Sequence, residues 1–347
     1  MKTQIVRDIT EDAIERAGQI IKEGGLVAFP TETVYGLGGD AFNPGSSKKI
    51  YAAKGRPSDN PLIVHIAYKK DLYEIAEDIP DLAFKLMDSF CPGPLTLILK
   101  KKPSLPKETT GGLGTVAVRM PSDPTANAFI KASGGFVAAP SANISGRPSP
   151  TDVRYVIEDL DGRVDMILDG GSSPIGLEST IVDLTEDRPV ILRPGFITAE
   201  MLCSVAGPVS SDPGSTGEDT NAPPKAPGMK YRHYAPKGDL TVVYGTPEKV
   251  IEYININTAR CSARGLKTGV IAGKMTADRY NADSVKNLGD RDDPAEISSS
   301  LYRVLREFDD EGTDVIYSES FEGPGLYCAV MNRLLKAAGR KTVNAGE

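Results

Sequence analysis

Apolar residues recur along this chain in two rhythms. Short β-prone runs at residues 26–29, 62–66, 95–99, 115–119 and 136–139 each stop abruptly at Pro, Gly, Ser, Thr, Asn or a cation. Such runs predict buried strands with polar ends. Further strands are expected near 166–168, 180–184 and 190–192. Between them, Ile14, Ala17, Ile20 and Ile21 fall at helical spacing, with Thr10 as N-cap and Gly24-Gly25 as the stop. Helices are also expected at 46–53, 79–90 and 124–131. Many strands with few helices predict an α/β, α+β-like architecture: a twisted mixed sheet with helices packed on it.

The rhythm then changes. From 208 to 227 the chain is Gly, Pro, Ser, Thr and Asp with hardly any large apolar residue, a linker by composition. Beyond it, strands near 240–244, 268–272 and 314–317 alternate with helices near 247–256, 294–309 and 325–338. That alternation predicts a small parallel α/β, Rossmann-like domain. The expected division is a first domain at 1–207, a linker at 208–237 and a second domain at 238–347.

Composition adds limits. A length of 347 residues favours two domains, and 40% hydrophobic with 25% charged residues suffices for full cores. A net charge of −7 argues against a protein that grips nucleic acid over its whole surface. Cys91, Cys203, Cys261 and Cys328 are far apart, which suggests reduced, mostly buried thiols in a cytoplasmic protein. With only His65 and His233, a His/Cys zinc site is not expected, and no metal ligand is assigned. Residues 1–20 are charged and amphipathic, unlike a signal peptide, and no apolar run approaches ~20 residues, so no membrane association is expected.

The chemistry is carried where the strands end. Residues 25–29 form an apolar strand that runs into Pro30-Thr31-Glu32-Thr33-Val34-Tyr35 and then Gly36, Gly38 and Gly39. Hydroxyls and exposed backbone N–H groups suit the floor of an anion site, and the glycines would let a ligand approach the backbone. A strand followed by a tight turn is the plainer alternative. Lys54-Gly55-Arg56 with Asn60 fits a phosphate clamp or a solvated basic turn. Arg119 ends an apolar strand and so needs an anionic partner, either a protein carboxylate or a ligand. The stretch from Pro140 through Ser141, Asn143, Arg147 and Ser149 to Pro150, then Glu178-Ser179-Thr180 and Arg193-Pro194-Gly195, repeats the pattern. No Ser-His-Asp set, GxxxxGK[ST] or GxGxxG is present. Together these segments describe a binder of two or more anions.

As a set, they closely resemble the YrdC-type L-threonylcarbamoyladenylate synthase family, in its long form with an appended C-terminal Sua-type domain. The matching residues include Pro30-Thr31-Glu32-Thr33-Val34-Tyr35-Gly36-Leu37, Lys54-Gly55-Arg56-Pro57, His65, Pro92-Gly93-Pro94-Leu95-Thr96 and Pro140-Ser141-Ala142-Asn143. The signature of the long form is Pro227-Gly228-Met229-Lys230-Tyr231-Arg232-His233-Tyr234-Ala235-Pro236. Two departures are Cys91, where relatives often carry Trp, and Asp123, where His is frequent.

The resemblance implies an adenylyl transfer. Threonine amine captures hydrogencarbonate as a carbamate, a carbamate oxygen attacks the α-phosphate of ATP, and pyrophosphate leaves. Threonylcarbamoyl-AMP then passes to a separate transferase complex that modifies tRNA beside the anticodon. It places L-threonine at Thr33, His65, Arg119, Ala139 and Ser179. ATP falls at Arg56, Asn60, Thr115, Ser141, Asn143, Ser149, Arg193 and His233. Lys54 and Arg56 are the expected catalytic cations, with Mg²⁺ held largely by the triphosphate and water. The polar, basic-ended linker is expected to form a lid, with residues 225–236 over the phosphates. The alternative is an RNA-binding module of the same fold. Against it, residues 1–207 hold 22 Lys and Arg against 27 Asp and Glu, so direct tRNA binding is expected to be weak or absent.

Overall fold

The structure, a computed structural model, describes residues 2–212, 226 and 233–346. The described residues fall into two compact units. The first runs to Ser145 and resumes at Ser149; the second takes in Gly146–Pro148 and the chain from His233.

In the first unit the strands are β1 (Gln4–Val6), β2 (Val27–Phe29), β3 (Gly36–Asp40), β4 (Ile63–Ile66), β5 (Leu95–Lys100), β6 (Thr115–Arg119), β7 (Phe136–Ala139), β8 (Met166–Leu168), β9 (Thr180–Asp183), β10 (Val190–Arg193) and β11 (Ser210–Ser211). They form one sheet in the order β1-β8-β2-β3-β7-β4-β6-β5-β9-β10-β11, with parallel and antiparallel neighbours mixed. The helices are α1 (Glu11–Lys22), α2 (Pro44–Lys54), α3 (Leu72–Ile75), α4 (Asp81–Phe90), α5 (Pro124–Ala132), α6 (Val153–Leu160) and α7 (Ala199–Ala206). Caps fix their starts: Thr10 Oγ1 accepts from the Ala13 amide, and Asn43 precedes Pro44 and accepts from Gly45. Asp123 does the same for α5, which gives this position a structural duty at the helix N-terminus.

One face of the sheet, with Ala28, Leu37, Val64, Leu97 and Val118, is buried in a large core with residues of α2, α4, α6 and α7. On the other, Val27, Phe29 and Val137 pack with Ala13, Ala17 and Phe129 of α1 and α5. A separate apolar patch of Ile63, Ile98, Ala117, Ile181 and Leu192 includes Ala226. The polar site lies among strand ends bordering these patches.

Two expectations change. The glycines after Tyr35 form strand β3 and not an open turn. A Cβ on Gly36 would sit 2.8 Å from the Phe29 ring, and one on Gly38 would sit 2.7 Å from Val137. Large neighbours therefore already fill the space, and the glycines serve packing rather than ligand approach. The thiols are also less buried than expected: Cys203 and Cys328 are exposed, Cys91 and Cys261 half-buried, and all four are free. The lid expected at 225–236 lies, apart from Ala226 and residues 233–236, outside the described residues.

The second unit holds β12 (Asp239–Tyr244), β13 (Thr268–Ala272), β14 (Ser284–Asn287), β15 (Val315–Glu319) and β16 (Thr342–Asn344), all parallel, in the order β14-β13-β15-β12-β16. Its helices are α8 (Pro247–Ser262), α9 (Pro294–Glu311) and α10 (Leu326–Ala337). Fully buried Arg306 of α9 donates from Nε and Nη2 to the Pro148 carbonyl at 3.0 and 2.7 Å. At the end of β15, Glu319 accepts from Arg291 at 2.6 Å, the Gly273 amide at 3.0 Å and the Tyr280 hydroxyl at 2.6 Å.

Candidate active site

Three neighbouring strands place three polar side chains in one row. His65 of β4 is in register with Arg119 of β6, and Arg119 with Thr96 of β5, so all three share a sheet face. Each occupies a position that the alternation of its strand would otherwise fill with an apolar residue. His65 Nδ1 lies 3.1 Å from the Ile63 carbonyl, and the Phe29 ring meets the imidazole edge-on at 5.8 Å. Burial, and next the Arg119 charge, push the His65 pKa down to about 3, so the ring is neutral at physiological pH.

Arg119 finds its anion in Glu32, with Nη2 2.8 Å from Oε2 and both side chains at most 8% exposed. Of the two answers left open for Arg119, a protein carboxylate holds in this structure. Thr31 and Thr33 flank Glu32, their hydroxyls 2.9 Å apart, and Thr31 Oγ1 donates to the Val34 carbonyl at 2.6 Å. Thr96 Oγ1 lies 2.7 Å from Ser179 Oγ. Arg193, ending β10, donates from Nε to the Ser179 carbonyl at 3.1 Å and from Nη2 to its hydroxyl at 3.2 Å. Thus Arg119, His65 and Glu32 are neighbours in one corner, and Ser179, Thr96 and Arg193 form a hydroxyl–guanidinium relay beside it. Ala139 ends β7 in register with Ile63.

A second cluster surrounds Lys54, the last residue of α2. Its ammonium donates to the Ser141 carbonyl at 2.5 Å and to the Asn143 carbonyl, with Asn143 Oδ1 at 3.4 Å. Ser141 Oγ donates to Asn143 Oδ1 at 2.5 Å. The loop is also stitched to the organising stretch. Leu37 N donates to Pro140 O, Ala142 N to Tyr35 O and Tyr35 N to Pro150 O, at 2.9, 2.8 and 2.9 Å. Lys54 therefore fixes this loop while keeping its charge at the site. Ser149 donates to Glu178 Oε1 at 2.7 Å.

Arg56 closes its own turn, donating from Nε to Asn60 O at 3.2 Å and from Nη2 to Pro61 O at 3.0 Å. Asn60 is buried, and its side-chain oxygen has no hydrogen-bond partner among the described residues. Thr115 starts β6, at the opposite end from Arg119 and on the same face. His233 belongs to the second unit, where its ring centroid lies 5.6 Å from that of Tyr234.

Sequence reasoning assigns no role to Glu32, Thr96 or Glu178. The signal for Thr96 is a hydroxyl inside the apolar run 95–99, and for Glu32 an acid between two threonines after a buried strand. Among the described residues, no group of three His, Cys, Asp or Glu side chains is arranged to hold a metal.

Comparisons with known proteins place these clusters in context. Residues 19–195 match the family described as "Telomere recombination", and residues 197–339 match "Threonylcarbamoyl-AMP synthase, C-terminal domain". A threonylcarbamoyl-AMP synthase of Bacillus subtilis is 48% identical over 331 residues, covering 95% of this chain and 94% of its own. One of Pyrococcus abyssi is 48% identical over 335 residues, covering 96% of each. The crystal structure of Pyrococcus abyssi Sua5 complexed with L-threonine superposes with a TM-score of 0.93 at 47% identity, over 99% of both chains.

Proposed function

The chain belongs to the threonylcarbamoyl-AMP synthase family, and we propose that its two polar clusters divide the substrates between them. The enzyme is an adenylyltransferase that makes threonylcarbamoyl-AMP from L-threonine, hydrogencarbonate and ATP, with release of pyrophosphate, for tRNA modification.

The observation that carries the division is the corner where Arg119 and His65 meet, with Ser179 in the relay beside it. Arg119 is a buried guanidinium whose Nε and Nη2 make no hydrogen bond among the described residues. It suits the threonine carboxylate, with neutral His65 beside it adding no competing charge. The Thr33 and Ser179 hydroxyls suit the threonine hydroxyl, and the backbone at Ala139 closes the pocket. The ATP residues are Arg56, Asn60, Thr115, Ser141, Asn143 and Ser149, together with Arg193, whose bonds to Ser179 put it where the two substrates adjoin. The open Asn60 oxygen is a ready acceptor, and the loop fixed by Lys54 presents the Ser141 and Ser149 hydroxyls.

Attack of a carbamate oxygen on the α-phosphorus concentrates charge on its non-bridging oxygens. Lys54 and Arg56 offset that charge from fixed positions, so little reorganisation accompanies the step. Mg²⁺ would be carried by the triphosphate and would offset its charge there, in keeping with a carboxylate-poor donor set at these residues. The product goes to a threonylcarbamoyl transferase complex acting on tRNA in the cytoplasm, with direct tRNA binding by this chain weak or absent.

Incubation with ATP, Mg²⁺, threonine and hydrogencarbonate, without tRNA, tests the reading. Pyrophosphate release that requires both threonine and hydrogencarbonate is expected. Release independent of either, or none until tRNA is added, overturns it.

A further inference from the structure

Glu32 has no part in the allocation above, although it stands beside the residue assigned to the substrate carboxylate. Its backbone is fixed, its carbonyl accepting from the Ile175 amide at 3.0 Å. Its side chain faces Arg119 at 2.8 Å. Yet among the described residues neither Glu32 carboxylate oxygen, nor Nε and Nη2 of Arg119, makes a hydrogen bond of ordinary geometry. A buried pair kept only for structure saturates such groups, since each one left open costs on the order of 1–3 kcal/mol.

Other titratable groups near it are already committed. Asp123, whose pKa burial raises, accepts from the Ala126 amide at 2.8 Å. The Cys91 thiol is pushed up to about 12 by burial and stays protonated. His65 is neutral and 3.1 Å from the Ile63 carbonyl.

An α-amino acid carries the complement of this pair, a carboxylate and an ammonium on adjoining atoms. Seating its carboxylate on Arg119 draws the guanidinium away from Glu32 and brings the ammonium to the released acid. One ion pair is exchanged for two. We propose that Glu32 receives the substrate ammonium and accepts the proton that this nitrogen must lose before it attacks hydrogencarbonate. The proposal rests on the threonine reading of the corner. An N–H proton passes to Glu32, leaving a neutral amine. The nitrogen lone pair forms the N–C bond to hydrogencarbonate, the C–OH bond breaks, and hydroxide departs as water with a second proton from nitrogen. Glu32 then gives its proton to solvent, so the net products are carbamate, water and one proton.

The test compares threonine-dependent pyrophosphate release by the full chain as wild type, E32Q and E32D between pH 7 and 9.5. A lost proton acceptor should slow E32Q on the order of 10²-fold at pH 7. The deficit relative to wild type should shrink at least roughly tenfold by pH 9.5, where solution supplies free amine. E32D, which keeps a carboxylate, should show a smaller deficit with the same trend. A deficit that is constant with pH marks Glu32 as a mere support for Arg119 and overturns the proposal, as does an E32Q as fast as wild type. If E32Q fails to fold, the E32D profile decides by the same criterion. A wild type lacking threonine dependence overturns the functional reading itself, which distinguishes the two failures.

Discussion

Each unit of this protein has a described guanidinium–carboxylate pair at a strand end, and the two are built to opposite rules. In the second unit, Glu319 accepts from Arg291, the Gly273 amide and the Tyr280 hydroxyl, while Arg291 also donates to the Ser320 carbonyl. In the first, Glu32 faces Arg119, and among the described residues neither carboxylate oxygen, nor Nε and Nη2 of the guanidinium, has a hydrogen-bond partner. A saturated pair holds its fold together; an open pair keeps its interactions for something else. Burial alone does not separate the two cases, because Glu319 and Glu32 are both buried. The number of committed donors and acceptors does.

Breaking the open pair should have the largest effect, and on activity. Arg119→Gln removes the cation proposed for the threonine carboxylate, a loss of about 3–5 kcal/mol for one partner of a buried charged contact. Threonine-dependent pyrophosphate release should fall on the order of 10³-fold, and a variant within about tenfold of wild type would put threonine elsewhere. Breaking the closed pair should move stability instead. Glu319→Gln should cost about 2–3 kcal/mol in urea unfolding of the second unit, with kcat/KM for threonine unchanged. A fall in kcat/KM without loss of stability would reverse the roles.

A third variant sharpens the contrast between packed and open parts of the site. Gly36→Ala should destabilise by about 1–3 kcal/mol, because its Cβ would meet the Phe29 ring, while the KM for ATP stays within about twofold. A raised KM with normal stability would restore the glycine to a ligand role. The smallest effect concerns His65. Its folded pKa, about 3, lies below the unfolded value near 6.5. The unfolded chain therefore binds the extra proton first, and stability is lost as pH falls from about 6.5 towards 3. His65→Gln should flatten that part of a pH–stability curve, and an unchanged curve would mean that the ring is charged in the fold.

The fold is legible in the sequence where periodicity and chemistry coincide. Strands β4 to β7 and helices α1 and α5 lie where the apolar runs and caps put them. Arg119 is recognisable as a buried cation in need of an anion, because an arginine ending an apolar strand carries its charge into the core and must be neutralised there. Strand β3 is hidden, since Gly36, Gly38 and Gly39 carry no strand preference of their own, and Gly36 and Gly38 are admitted by Phe29 and Val137, one of them far along the chain. Strands β14 and β16 escape for a related reason: Ser284–Asn287 and Thr342–Asn344 are short, polar and largely half-buried or exposed. The Glu32–Arg119 pair and the Ser179 relay are equally out of reach, because residues distant in sequence are joined only by sheet register. Lys54 shows the same limit: a lysine at a glycine turn reads as a phosphate ligand, and only the fold brings the Ser141 and Asn143 carbonyls to its ammonium.

That enclosure makes Lys54 a built-in chemical reporter. Amine-directed reagents attack an accessible, unprotonated nitrogen, and this lysine is 1% exposed with its ammonium among loop oxygens, whereas Lys70 and Lys85 stand in solvent. Acylation at Lys54 can proceed only while the loop carrying Ser141 and Asn143 is lifted away. Its labelling rate, followed by peptide mass spectrometry against the exposed lysines as an internal clock, thus measures how often this loop opens in the resting enzyme.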